Sequence, residues 1–166
     1  MIIAIDIQQF LLNNFFLMDT KRNIIMDGNF TKLMYSTEHY TMNGIYITFP
    51  IDITTIDTIL NKKQMKFNPY SPTNLHIIQE FAKFECKILE YYRQLKQCNT
   101  CTISNLLSRQ LYSGFMKIYK EYNLTCELNN FKQIKHIIKI SGIWQTNNEI
   151  GLTYKLYEST ELIMPA

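Results

Sequence analysis

The chain has 166 residues, of which 46% are hydrophobic and 19% charged, with 5 Gly and 4 Pro. Such a mixture buries a core and excludes disordered, collagen-like and linker-like chains; its length suits a single domain over residues 1–166, with 1–28 open to being an N-terminal extension. The net charge of +3 is unevenly spread, since residues 1–60 hold three basic and six acidic side chains and residues 61–166 hold fourteen and eight, a split that suits either a polyanion-binding surface on the later part or an ordinary solvated surface.

Residue usage adds a second constraint. There are 24 Ile and 15 Asn, yet no Val and only Ala4, Ala82 and Ala166 as alanines. Val and Ile are both β-branched and suit strands equally, so packing gives no reason for the bias. AT-rich coding does, and it points to a large DNA virus, an endosymbiont or a parasite.

In chain order, the apolar N-terminus is interrupted by Asp6, Gln8, Gln9, Asn13 and Asn14. It lacks the basic start and small-residue cleavage site of a signal peptide and is too polar to span a bilayer. No membrane partner is expected, and the product is read as intracellular, in a host cell. Residues 30–36 and 44–50 are short runs of β-branched and aromatic residues and predict a hairpin. Asn43-Gly44 is either its turn or a bulge in the returning strand. Residues 51–66 read as a short helix or a connecting strand.

Ser71-Pro72-Thr73-Asn74 opens the clearest element, a helix over about 73–96 with Ser71 or Thr73 as N-cap. Leu75, Ile78, Ala82, Leu89 and Tyr92 form its predicted buried stripe. A loop over 97–101 leads to a short helix, Ile103–Tyr112, stopped by Ser113-Gly114. Strands are expected at 115–122, 133–144 and 149–157, the last two as an antiparallel hairpin around a polar turn, with a frayed tail from Ser159. The expected fold class is α+β: an antiparallel sheet or a small OB-like barrel, with one long and one short helix.

Catalysis has little to stand on. The chain has 3 His and 5 Asp and none of the metal-protease, nucleophile-elbow or P-loop motifs, so no enzyme, catalytic residue or cofactor is expected. His136 reads as a core histidine with one hydrogen bond. Cys98 and Cys101 form a C-x-x-C pair, but a structural zinc site takes four ligands, usually two such pairs. Cys86, Cys98, Cys101 and Cys126 are therefore expected as free thiols, with no metal bound.

Binding has more material. Basic and aromatic side chains interleave along the later strands, the chemistry by which amines neutralise phosphates and rings stack on bases. The candidates are Lys117, Lys120, Lys135, Lys139 and Lys155 for phosphates, and Tyr119, Trp144, Tyr154 and Tyr157 for stacking. Strict alternation turns Tyr154 inward, and groups Gly142 and Trp144 with His136, Ile138 and Ile140. Trp144 is either a core anchor or a stacking platform, and Gly142 marks a bulge or a bend.

The segment 137–158, IIKISGIWQTNNEIGLTYKLYE, resembles the closing strands of small single-stranded-DNA-binding proteins of double-stranded DNA viruses. Ser141, Gly142, Ile143 and Trp144 match one strand, and Gly151, Leu152, Thr153, Tyr154 and Lys155 match the next. Residues 111–120 fit less specifically, and the tail is less acidic than in many such proteins. The resemblance implies an OB-like core and a sequence-tolerant grip on single-stranded DNA in replication or recombination. Its implied partners are single-stranded DNA and, beyond it, replication proteins or further copies of the chain. The competing expectation is a viral structural or host-interaction protein that binds no nucleic acid.

Overall fold

Two long strands near the end of the chain organise the molecule. The structure is a computed structural model that describes residues 3–25, 27–119 and 134–160. β9 (Ile134–Gln145) and β10 (Glu149–Thr160) form the predicted antiparallel hairpin. Thr146 closes the turn: its N–H donates to the Glu149 carbonyl at 2.8 Å and its hydroxyl accepts from Glu149 N–H at 3.1 Å. β10 continues to Thr160, so Ser159 and Thr160 belong to the sheet rather than to a frayed tail.

The other strands flank this pair. β1 (Phe15–Asn23) and β2 (Gly28–Ser36) pair antiparallel, and β2 then pairs with the second half of β9. β3 (Thr41–Met42) folds back on β2, whereas β4 (Ile45–Thr48) leaves to pair with the first half of β9. The hairpin expected over 30–50 is thus reduced to two register pairs on β3, and Gly44, at φ +101°, marks the departure. On the far side, β7 (Thr102–Ser104) and β8 (Phe115–Tyr119) both run parallel to β10. β6 (Lys62–Lys66) joins β8, and β5 (Thr55–Ile59) joins β6. The main path is β1-β2-β9-β10-β8-β6-β5. The protein is α+β with a ten-stranded, mostly antiparallel sheet that does not close into a barrel.

Two elements differ from the sequence reading for local reasons. Residues 55–66 are a hairpin whose two-residue turn, Leu60-Asn61, has positive φ at both positions, 48° and 62°. Such turns ordinarily carry Asn-Gly, so a leucine there hides the signal. The second helix, α2, spans Leu106–Tyr112, because Thr102–Ser104 extend as β7 alongside Glu149–Gly151.

α1 spans Pro72–Leu95 with Ser71 as N-cap and Pro72 in its first turn. Ile78, Leu89 and Tyr92 are buried as expected, joined by Phe81, Phe84 and Ile88; Leu75 and Ala82 are half-buried. Phe81 packs edge-on against Phe49 at 5.5 Å, and Phe84 against Phe10 at 4.9 Å. Ile5, Phe10 and Phe15 enter the same core, so the N-terminal segment is packed against the helix. The helix ends in a Schellman motif built on Gln97 (φ +53°), with Cys98 N–H bonded to the Arg93 carbonyl and Gln97 N–H to that of Gln94.

Two polar side chains on α1 are buried and tie it to its neighbours. Asn74 accepts from Asp52 N–H at 2.8 Å and donates to the carbonyls of Asp52 and Asn68, both at 3.0 Å. Glu85, fully buried, accepts from Leu107 N–H and Ser108 N–H at 2.9 Å and from the Ser108 hydroxyl at 2.5 Å. Its carboxylate thereby satisfies the free N–H groups that open α2. Among the described residues no helix is long and apolar enough to cross a membrane.

Candidate nucleic-acid interface

Register decides which side chains share a face, and one extra residue in β9 sets it. Opposite β10 the pairing passes from Thr153↔Gly142 directly to Tyr154↔Ile140, leaving Ser141 as a bulge. The alternation slips by one there. Ile140 and Ile143 both reach full burial, which strict alternation forbids, and Gly142 and Trp144 turn to the opposite face. Trp144 is therefore half-buried on the side away from the helices, not a core anchor in phase with Ile138. Ile134, in phase with His136, Ile138 and Ile140 along the strand, is nevertheless exposed.

Both helices pack on the face that carries Ile138, Ile140, Leu152 and Leu156. Tyr92 marks it: its hydroxyl reaches Gln145 Oε1 at 2.8 Å and Thr31 Oγ1 at 3.4 Å. Tyr154 points the same way, as alternation predicts, and donates to the Leu106 carbonyl at 3.3 Å. Burial, aided by the Glu85 charge and opposed by Arg109, pushes the Tyr154 hydroxyl up to about 12. This tyrosine braces α2 and is not placed among the outward rings.

At the far end of the helix-side face, His136 lies buried with its Nε2 3.6 Å from Glu158 Oε1, and Lys63 Nζ sits 2.6 Å from the same carboxylate. Among the described residues, His136 Nε2 has no hydrogen-bond partner. Burial holds its pKa below the usual histidine value, against the pull of Glu158.

The outward face gathers most of the candidate residues. Lys117 and Tyr119 of β8, Lys155 and Tyr157 of β10, and Lys135, Lys139 and Trp144 of β9 all occupy outward positions on three neighbouring strands. Tyr119 is the centre of a cluster. Lys117 Nζ sits 4.5 Å and Lys155 Nζ 4.9 Å from its ring centroid, and the Tyr157 ring lies 6.3 Å away. Lys139 pairs across the ladder with Lys155 on one side and Tyr46 on the other, and its ammonium lies 5.2 Å from the Tyr46 ring. Two like charges are thus held side by side, each resting against an aromatic ring. Lys120 and Cys126 lie outside the described residues.

Sequence reasoning missed three members of this face. Tyr46 joins through β4, and Phe30 and Lys32 join through β2, where Phe30↔Trp144 and Lys32↔Gly142 are register pairs. The period-two pattern of β2 carried the signal, because Thr31, Leu33 and Tyr35 are buried while Phe30, Lys32 and Met34 are not. Across β2, β4, β6, β8, β9 and β10 the outward positions hold one carboxylate, Glu149, at the start of β10. Asp57 of β5 is paired with Lys66 at 2.7 Å. Asp6, beside β4, accepts from the outward Thr48 hydroxyl at 2.7 Å, and lysines outnumber the carboxylates on this face.

Cys86 is exposed, Cys98 half-buried and Cys101 buried, and none of these three is in a disulfide. Burial pushes the Cys98 thiol up from its ordinary value. Among the described residues no three His, Cys, Asp or Glu side chains gather as a metal site. Comparison with protein-family models, with curated proteins and with solved structures finds no match to this chain.

Proposed function

We propose that this protein binds single-stranded DNA with little regard to sequence, across the outward face of the β8–β10–β9 strands. The observation that carries the reading is the Tyr119 cluster, one ring with two lysine ammoniums 4.5 and 4.9 Å from its centroid beside a second tyrosine. Phosphates supply the anions such lysines attract, and a base offers a flat partner on which such rings can stack. Every base has a π-face, so stacking of this kind is tolerant of sequence. The replication or recombination setting implied by the resemblance is where such an activity serves a DNA virus.

Titration with oligo-dT, followed by fluorescence anisotropy at rising salt, tests the proposal. Lys117, Lys139 and Lys155 each neutralising one phosphate give a log K–log salt slope of about −2, at about −0.7 per contact on a single strand. Reversing Lys139 and Lys155 to Glu together should weaken binding to all sequences alike and flatten that slope. Absence of binding at low salt, or an unchanged slope in the double variant, removes the basis of the proposal.

The competing reading, a protein-interaction module, draws on the hairpin tips. Ile24 and Ile25 at one tip are 98% and 94% exposed, and Leu60 at another is 91% exposed. Its signature in the same titration is no response to DNA at any salt.

A further inference from the structure

Two aromatic rings on the outward face are seated on glycines. A Cβ at Gly151 would collide with the Trp144 indole, and one at Gly142 with the Phe30 ring and the Thr31 carbonyl. Neither glycine has the positive φ that only glycine adopts easily; that conformation occurs at Gly44 and Gly114. Backbone geometry therefore does not demand glycine at 142 or 151. The close approach of the rings does, as when an aromatic covers a strand glycine.

Phe30 and Trp144 are register partners on adjacent strands, and each ring lies over a glycine of the next strand, Phe30 on Gly142 of β9 and Trp144 on Gly151 of β10. Lys21 pairs with Phe30 from β1, and Lys32, two residues along β2, pairs with Gly142; both lysines are exposed. β10 runs without a bulge from Gly151 to Tyr157, alternating throughout, so this pair shares its face with the Tyr119 cluster. A lysine-flanked aromatic patch thus recurs at the opposite corner of one surface, with Lys139 and Tyr46 between the two.

We infer that Phe30 and Trp144 form a second base-stacking platform, so that one DNA strand crosses the sheet diagonally from Tyr119 to Phe30. This inference rests on the function proposed above. Three strand spacings of about 4.8 Å and six residues of about 3.3 Å separate the two platforms, a diagonal of roughly 25 Å. That matches about seven nucleotides at the 3.4 Å rise of a stacked strand, and fewer if the strand is extended. A trinucleotide then reaches one platform and a decamer reaches both.

The test compares (dT)3 with (dT)10, reading anisotropy of the labelled oligonucleotide alongside the fluorescence of Trp144, the only tryptophan. Phe30→Leu keeps an apolar cover over Gly142 while removing the ring. A circular dichroism melt verifies that it folds, and Lys32→Ala probes the same corner without touching the packing. The expected result is quenching of Trp144 by (dT)10 and an affinity gain from (dT)3 to (dT)10 that Phe30→Leu cuts by at least about fivefold, the lower end for one lost stack. Lys32→Ala should lower (dT)10 affinity and leave (dT)3 unchanged. If (dT)10 binds by anisotropy with Trp144 unquenched and the length gain intact in both variants, the second platform is refuted while the first stands. If neither oligonucleotide binds, the proposed function falls and takes this inference with it.

Discussion

Glu85 offers the sharpest test of how the helical layer is held. Its buried carboxylate accepts three hydrogen bonds, from Leu107 N–H, Ser108 N–H and Ser108 Oγ–H. Glu85→Ala leaves all three donors without that acceptor at the start of α2. An orphaned buried donor costs about 1–3 kcal/mol, and three donors lose their acceptor together. A loss of about 3–5 kcal/mol is therefore expected, a large share of the roughly 5–15 kcal/mol that holds a domain folded. Ser108→Ala removes one donor and leaves the two backbone bonds in place, so it should cost less. Urea unfolding of the two variants beside the parent measures both. A loss below about 1 kcal/mol for Glu85→Ala, or one no larger than that of Ser108→Ala, would show that α2 is held by its apolar contacts alone.

Two further outcomes follow from burial. Ile78→Ala and Leu89→Ala each remove a side chain with no exposed surface and should each cost about 2–5 kcal/mol in the same urea experiment; a change under half a kilocalorie would mean the sites are not packed as described. His136, its pKa held below the ordinary 6.5 by burial, binds a proton more weakly folded than unfolded. The stability this contributes is present above pH 6.5 and is lost as the pH falls through the folded-state value. The melting temperature should drop on acidification, with a shallower drop in His136→Asn; equal slopes for both proteins would exclude His136 as the source.

What the sequence made legible, and what it hid, divides along local against long-range physics. α1 was readable from its cap, its first-turn proline and its apolar spacing, all properties of a few adjacent turns. The β9–β10 hairpin was readable because apolar alternation flanks a short polar turn. The hairpin at 55–66 was hidden by Leu60, a residue that seldom tolerates positive φ. β1 was hidden because, as a mostly exposed edge strand, it lacks an alternating pattern.

The candidate interface was half legible for a related reason. Lys117, Tyr119, Lys139, Lys155 and Tyr157 follow simple alternation and fall on one face. Trp144 and Gly142 lie beyond the bulge at Ser141, and nothing in the residue types around it announces which position is doubled. Tyr46 and Phe30 reach the face only through pairing with β9, more than ninety positions away, which no local pattern reports. Glu85 escaped notice because its partners belong to a different helix.

The position of β9 and β10 in the sheet bears on how the chain acquires its fold. β2, β4, β7 and β8 all dock on these two strands, yet β9 and β10 are synthesised after every other described element. During translation, β2 and β4 wait for a partner made about a hundred residues later, with Leu33, Ile45 and Ile47 unable to reach their final burial. Local hairpins and α1 can form early, but the sheet as a whole assembles only once residue 160 has emerged. Closing such long loops before their contacts are rewarded slows folding and leaves apolar strands open to misassociation in the interval. A sheet centred on its last-made hairpin therefore depends on what shields the first half of the chain while it waits.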